Sequence, residues 1–75
     1  MMEYVVIVSK DNEANVWLAE NSELPIVLED SSLENLMERV KVAAPEIAEM
    51  NNLTPPTSLY FAIQAMVKEE LVANG

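Results

Sequence analysis

The stretch Ser31-Ser32-Leu33-Glu34-Asn35-Leu36-Met37-Glu38-Arg39-Val40, running on to Met50, decides how this 75-residue chain is read. It is the one segment with both a start signal and a sustained helical period. Ser31 can accept a backbone N–H bond as N-cap, and Glu34 three residues later can reach back to it, a capping box. Leu33, Leu36, Met37, Val40, Ala43, Ala44 and Ile47 recur at helical spacing and share one face. The segments before it read as strands that need a cover, and this helix supplies one.

Pro45 interrupts the pattern. A proline in a helix interior removes a donor and clashes with the carbonyl four residues back, at a cost of ~3 kcal/mol or more. The helix can kink and continue. It can stop near Ala43, with Pro45 opening a second short helix. Or it can simply end. Glu46 and Glu49 suit a new helical N-terminus. The favoured expectation is a kinked or broken helix ending near Met50, with Asn51-Asn52 as its stop.

Upstream, Glu3 to Ser9 is short and rich in β-branched residues, which predicts a strand. Tyr4, Val6 and Val8 fall on one side, Val5 and Ile7 on the other. Both sides are apolar, as in a central or self-associating strand. Lys10 to Asn15 is a polar turn, with Asp11, Asn12 and Asn15 suited to turn positions. It implies an antiparallel hairpin with a second strand over Val16-Trp17-Leu18-Ala19, reaching toward Glu20. After Asn21-Ser22-Glu23, Pro25 belongs at a strand start or edge, and Ile26 to Glu29 reads as a third short strand.

Downstream, Pro55-Pro56 marks an extended linker. Ser58 to Val72 fits two periods. Leu59, Phe61 and Ile63 alternate as in a strand, while Leu59, Ile63, Met66, Val67 and Leu71 share a helical face marred by Glu70. Tyr60, Phe61 and Ile63 favour a strand over 58–66, with a helical turn after it as an option. The fold class expected is α+β: a two-layer β-β-β-α-β domain, its antiparallel sheet covered on one face by one helix.

Composition limits function. Thirteen acids against four basic residues give a net charge of −9. Phosphate contacts need clustered Lys and Arg, so direct binding to nucleic acid or an anionic membrane surface is not expected. A basic partner, or simple solubility, is favoured. There is no cysteine, hence no disulfide or thiolate metal site, and no histidine, which removes the usual general base and zinc ligand. The one glycine is Gly75, so no glycine-rich phosphate loop exists. No catalytic residue, cofactor or metal site is expected, and no apolar run approaches the ~20 residues needed to cross a bilayer. No export signal is read, so the cytoplasm is the expected compartment.

A chain this small buries only roughly 60% of its unfolded surface, and self-association is the usual support. The sheet is the expected site, with Tyr4, Val6, Val8, Trp17, Glu29 and Asp30 as candidate interface residues. Trp17 fits a sheet-face anchor as well as an interface hot spot. Glu29, Asp30 and Glu34 form the densest carboxylate cluster; helix capping explains it without a metal, and a weak divalent-metal or small-ligand site is the alternative.

Strand, acidic turn, strand, proline strand and helix now stand in order. The residues are Asp11-Asn12-Glu13-Ala14, Val16-Trp17-Leu18-Ala19, Glu23-Leu24-Pro25, Asp30-Ser31-Ser32-Leu33-Glu34-Asn35-Leu36 and Ala44-Pro45-Glu46-Ile47-Ala48-Glu49-Met50-Asn51. Over residues 4–52 the chain resembles the partial RNase H-like domain of the HicB antitoxin superfamily. It is most similar to short stand-alone members, a domain family of unknown function. The family's glycine after the third-strand proline is replaced here by Ile26, and one before the helix by Asp30 or a neighbour, so the turn geometry at that edge is expected to differ.

The resemblance implies one sheet and one helix, and a non-enzymatic domain that binds a small basic RNA-cleaving toxin and blocks its catalytic surface. In toxin–antitoxin members a separate C-terminal segment binds operator DNA. The chain reads as one domain over residues 1–75 without such a segment. An orphan structural or regulatory oligomer without a toxin is the rival reading.

Overall fold

The computed structural model describes residues 3–66 and 71–72. Strand β1 (Glu3–Asp11) leads into a turn that Asp11 closes with its own carboxylate, which accepts the N–H groups of Glu13 and Ala14 at 3.1 and 3.2 Å. Asn15 takes a left-handed φ of 55°, a conformation that asparagine tolerates. Strand β2 (Val16–Asn21) returns antiparallel to β1, with Ser9 opposite Leu18.

Asn21 builds the next corner. Its Oδ1 accepts the Leu24 N–H at 2.7 Å and its Nδ2 donates to the Val5 carbonyl at 2.6 Å. Pro25 stands just before β3 (Ile26–Asp30), which pairs antiparallel with β2. Helix α1 (Leu33–Met50) then crosses the sheet, and β4 (Ser58–Gln64) enters on the far side of β1. The strand order is β3-β2-β1-β4.

The α+β architecture is the expected one, but one pairing differs. β4 runs parallel to β1, with Val6 opposite Phe61, so the sheet is mixed rather than wholly antiparallel. The cause is the helix, which carries the chain back across the sheet so that β4 restarts in β1's direction, as crossover connections do.

The core lies between one sheet face and α1. Tyr4, Val6, Val8, Ala19, Leu24 and Ile26 meet Leu36, Val40, Ala44 and Ala48, all essentially inaccessible. The helix residues recur every fourth position, one stripe of a 3.6-residue helix. Full burial of a valine or leucine side chain contributes roughly 1.5–3 kcal/mol.

Three details refine the expectations for α1. The N-cap is Ser32, not Ser31: its Oγ accepts the Asn35 N–H at 3.1 Å. Asp30 causes the shift by taking the Ser32 N–H on its carboxylate at 2.9 Å. Next, α1 continues through Pro45 as a single helix, with the ring on its exposed side, so the stripe Val40-Ala44-Ala48 is uninterrupted. Finally, the stop is at Asn51-Asn52, where Asn52 adopts φ 56° and Leu53 N–H closes on the Ala48 carbonyl at 2.8 Å. β4 ends at Gln64, two residues short of the expected limit. The optional helical turn beyond it falls mainly on residues 67–70, outside the described residues. Among the described residues no helix is long and apolar enough to cross a membrane.

Candidate interaction surface

Because strand side chains alternate, α1 can cover only one face of the sheet. The other face carries Val5 and Ile7 from β1, Leu18 from β2, Val27 from β3 and Tyr60 from β4. Val5 is 50% exposed, Ile7 40%, Val27 73% and Tyr60 56%. These are large apolar groups exposed on one face of the sheet.

Carboxylates are interleaved with these apolar groups: Glu20 stands between Ile7 and Val27 in one cross-strand row. Glu3, Glu20 and Glu29 share the face, and Glu3, Val5, Ile7, Glu20, Glu23 and Val27 line a shallow depression on it. Glu3 also ties β4 to β1: its Oε2 accepts from Ser58 Oγ at 2.9 Å and from the Tyr60 hydroxyl at 3.3 Å. No described basic residue stands here. Lys10 lies on the opposite side, its Nζ 4.9 Å from the centroid of the Trp17 ring, a cation–π distance. Arg39 and Lys41 belong to α1, where Lys41 pairs with Glu38 at 2.7 Å.

The six residues expected at an interface do not form one surface. Tyr4, Val6 and Val8 are buried under α1, and another chain cannot reach them. Trp17 packs partly buried against the same core. Glu29 is on the helix-free face. Asp30 is occupied as the latch of α1: beside Ser32 N–H, it accepts Asn35 Nδ2 at 2.6 Å and Arg39 Nη1 at 3.2 Å. The Ser32 N–H, the Asn35 amide and the Arg39 guanidinium together hold its carboxyl below the ordinary range, against a smaller opposing effect of burial.

Glu29, Asp30 and Glu34 do not converge. Among the described residues, no group of three or more carboxylates is placed to hold a metal ion. The surface residues missed by sequence reasoning were Val27, Tyr60, Glu3 and Glu20. Their signal was available in the two-sided apolar pattern of β1, which did not say which side α1 would take.

The geometry defines a small α+β domain with one sheet face left open. The chain belongs to the domain family of unknown function DUF1902, whose profile matches residues 3–74. It is similar in structure to the hypothetical protein TTHA1013 from the extremely thermophilic bacterium Thermus thermophilus, at a TM-score of 0.70 and 27% identity. The match covers 93% of this chain and 100% of that one. A search of curated proteins finds no match.

Proposed function

We propose that the chain is a non-enzymatic protein-interaction domain that takes a small basic protein on the helix-free face of its sheet. The observation that carries this is the composition of that face: exposed Val5, Ile7, Val27 and Tyr60 interleaved with Glu3, Glu20 and Glu29, with no described basic side chain on it. The apolar side chains exclude water at a contact, and the single-sign charge among them steers and selects a partner of opposite sign. The resemblance to HicB-type antitoxins supplies the class of partner, a small basic RNA-cleaving toxin held with its catalytic surface blocked. A bacterial cytoplasmic setting goes with this reading. Self-association through the sheet is its second part, supported by the small size of the core.

The test is co-expression with the product of an adjacent small basic reading frame. The two proteins are expected to co-purify, to separate as salt is raised, and to separate when Val27 is replaced by Lys. Loss of RNA cleavage in the complex identifies the partner as a toxin. Failure to co-purify with any basic neighbour, or binding unaffected by Val27→Lys, overturns the basic-partner reading and leaves the orphan structural oligomer in its place.

A further inference from the structure

The two edges of the sheet are built differently. β3, the outer strand on one side, has five residues, follows Pro25 and carries Glu29 and Asp30. Arg39 reaches down from α1 and donates to the Glu29 carbonyl at 2.8 Å. Proline, charge and a side chain on a strand carbonyl are the devices that keep an edge from pairing. β4, the outer strand on the other side, has none of them within its span, and its nearest proline, Pro56, stands two residues before it. Its seven residues, Ser58-Leu59-Tyr60-Phe61-Ala62-Ile63-Gln64, include no charge and no proline. Among the described residues it pairs on one side only, with β1. Tyr60 and Ile63, on opposite faces of β4, are 56% and 50% exposed.

We infer that the β4 edge is a pairing site for a second copy of this chain, joining two four-stranded sheets into one continuous sheet across a two-fold axis at Phe61. The inference rests on the self-association part of the reading above, not on the basic partner. In antiparallel register about Phe61, Leu59 lies opposite the partner's Ile63, Tyr60 opposite the partner's Ala62, and Ser58 opposite the partner's Gln64. Apolar meets apolar and polar meets polar, as stable cross-strand pairs require. A two-fold axis makes the contact self-complementary, and edge pairing satisfies the open backbone groups of both strands.

Charge selects this route over a face-to-face one. The chain carries −9, but none of that charge is in β4. Stacking two helix-free faces brings Glu3, Glu20 and Glu29 against their own copies, whereas edge pairing keeps them apart. The groove between Pro45 of α1 and Leu59 and Phe61 of β4 stays open in the single chain, and it adjoins this edge.

Sedimentation velocity of the full chain over a wide concentration series tests the inference. The wild type is expected to dimerise. Ile63→Lys is expected to be monomeric with an unchanged circular dichroism spectrum, although it lowers the net repulsion between copies. Val27→Lys, on the helix-free face, is expected to leave the dimer intact. Because the chain has no cysteine, a mixture of Tyr60→Cys and Ala62→Cys chains reads the register directly. The mixed disulfide should form faster than either self-disulfide. If Ile63→Lys fails to fold, this cross-link decides the matter. A dimer that survives Ile63→Lys, dissolves with Val27→Lys and gives no mixed disulfide overturns the edge assignment while self-association stands. A wild type that stays monomeric throughout overturns both.

Discussion

Asp30 joins three donors at the start of α1: the Ser32 N–H, the Asn35 amide and the Arg39 guanidinium. All three favour the ionised carboxylate, so its pKa in the folded chain lies below that in the unfolded chain. The linked stability is therefore fully present above the ordinary carboxylate value of about 4 and is lost as pH falls through the lower folded value. Asp30→Ala is expected to be less stable than the wild type at pH 7, with a gap that narrows below about pH 4. Urea denaturation across that range measures it, and a gap independent of pH would count against the latch. The same residue explains why the N-cap was only half legible in sequence. Ser31 and Ser32 are equivalent by propensity. Only the Asp30 carboxylate, which takes the Ser32 N–H, decides between them.

At the scale of elements, β1 shows what alternation can and cannot tell. That Tyr4, Val6 and Val8 share a face is plain from the period of two. Which face meets the helix is not, because Val5 and Ile7 are equally apolar, so in sequence Tyr4, Val6 and Val8 read as interface candidates although they form the core. The parallel entry of β4 was hidden for a similar reason: strand direction is set by the crossover, and no residue within Ser58–Gln64 encodes it. The hairpin, by contrast, was legible because Asp11 and Asn15 carry turn chemistry of their own. α1 offers a prediction at this scale. Pro45 stands inside a continuous helix on its exposed side, where it denies the Lys41 carbonyl its usual partner. Pro45→Ala restores that bond, offset by about 0.4–1 kcal/mol of unfolded-chain entropy that proline had removed. Set against the ~3 kcal/mol cost of an interior proline, a net gain of about 2 kcal/mol is expected, read as a higher urea midpoint at unchanged slope. A loss would mean that Pro45 supports packing beside Leu59 and Phe61.

For the whole molecule, thirteen acids against four basic residues mean self-repulsion in the compact state. Salt shortens the reach of that repulsion to about 10 Å at 0.1 M. Thermal stability is expected to rise with sodium chloride, and a gain of roughly 1 kcal/mol corresponds to about 4–8 °C for a domain this small. Binding of a basic partner is expected to weaken over the same range. These opposite trends separate the two uses of one charge pattern, and calorimetry with a binding titration in shared buffers measures both. The charge was fully legible in sequence. Its distribution was not: the folded chain sets Glu3, Glu20 and Glu29 on one face and leaves β4 neutral.

The parallel pair of β1 and β4 also bears on how the molecule is made. Glu3 and Ser58 meet across 55 residues of chain, and closing so long a loop must precede any return from the contacts it makes. During synthesis β1 emerges before β4, apolar on both sides, and waits for that strand to cover its flank. The β1–β2 hairpin and α1 are local and can form early; the middle of the sheet is completed last. The order of assembly is thus the reverse of the order of burial, and the slow step in refolding is expected to be the docking of β4.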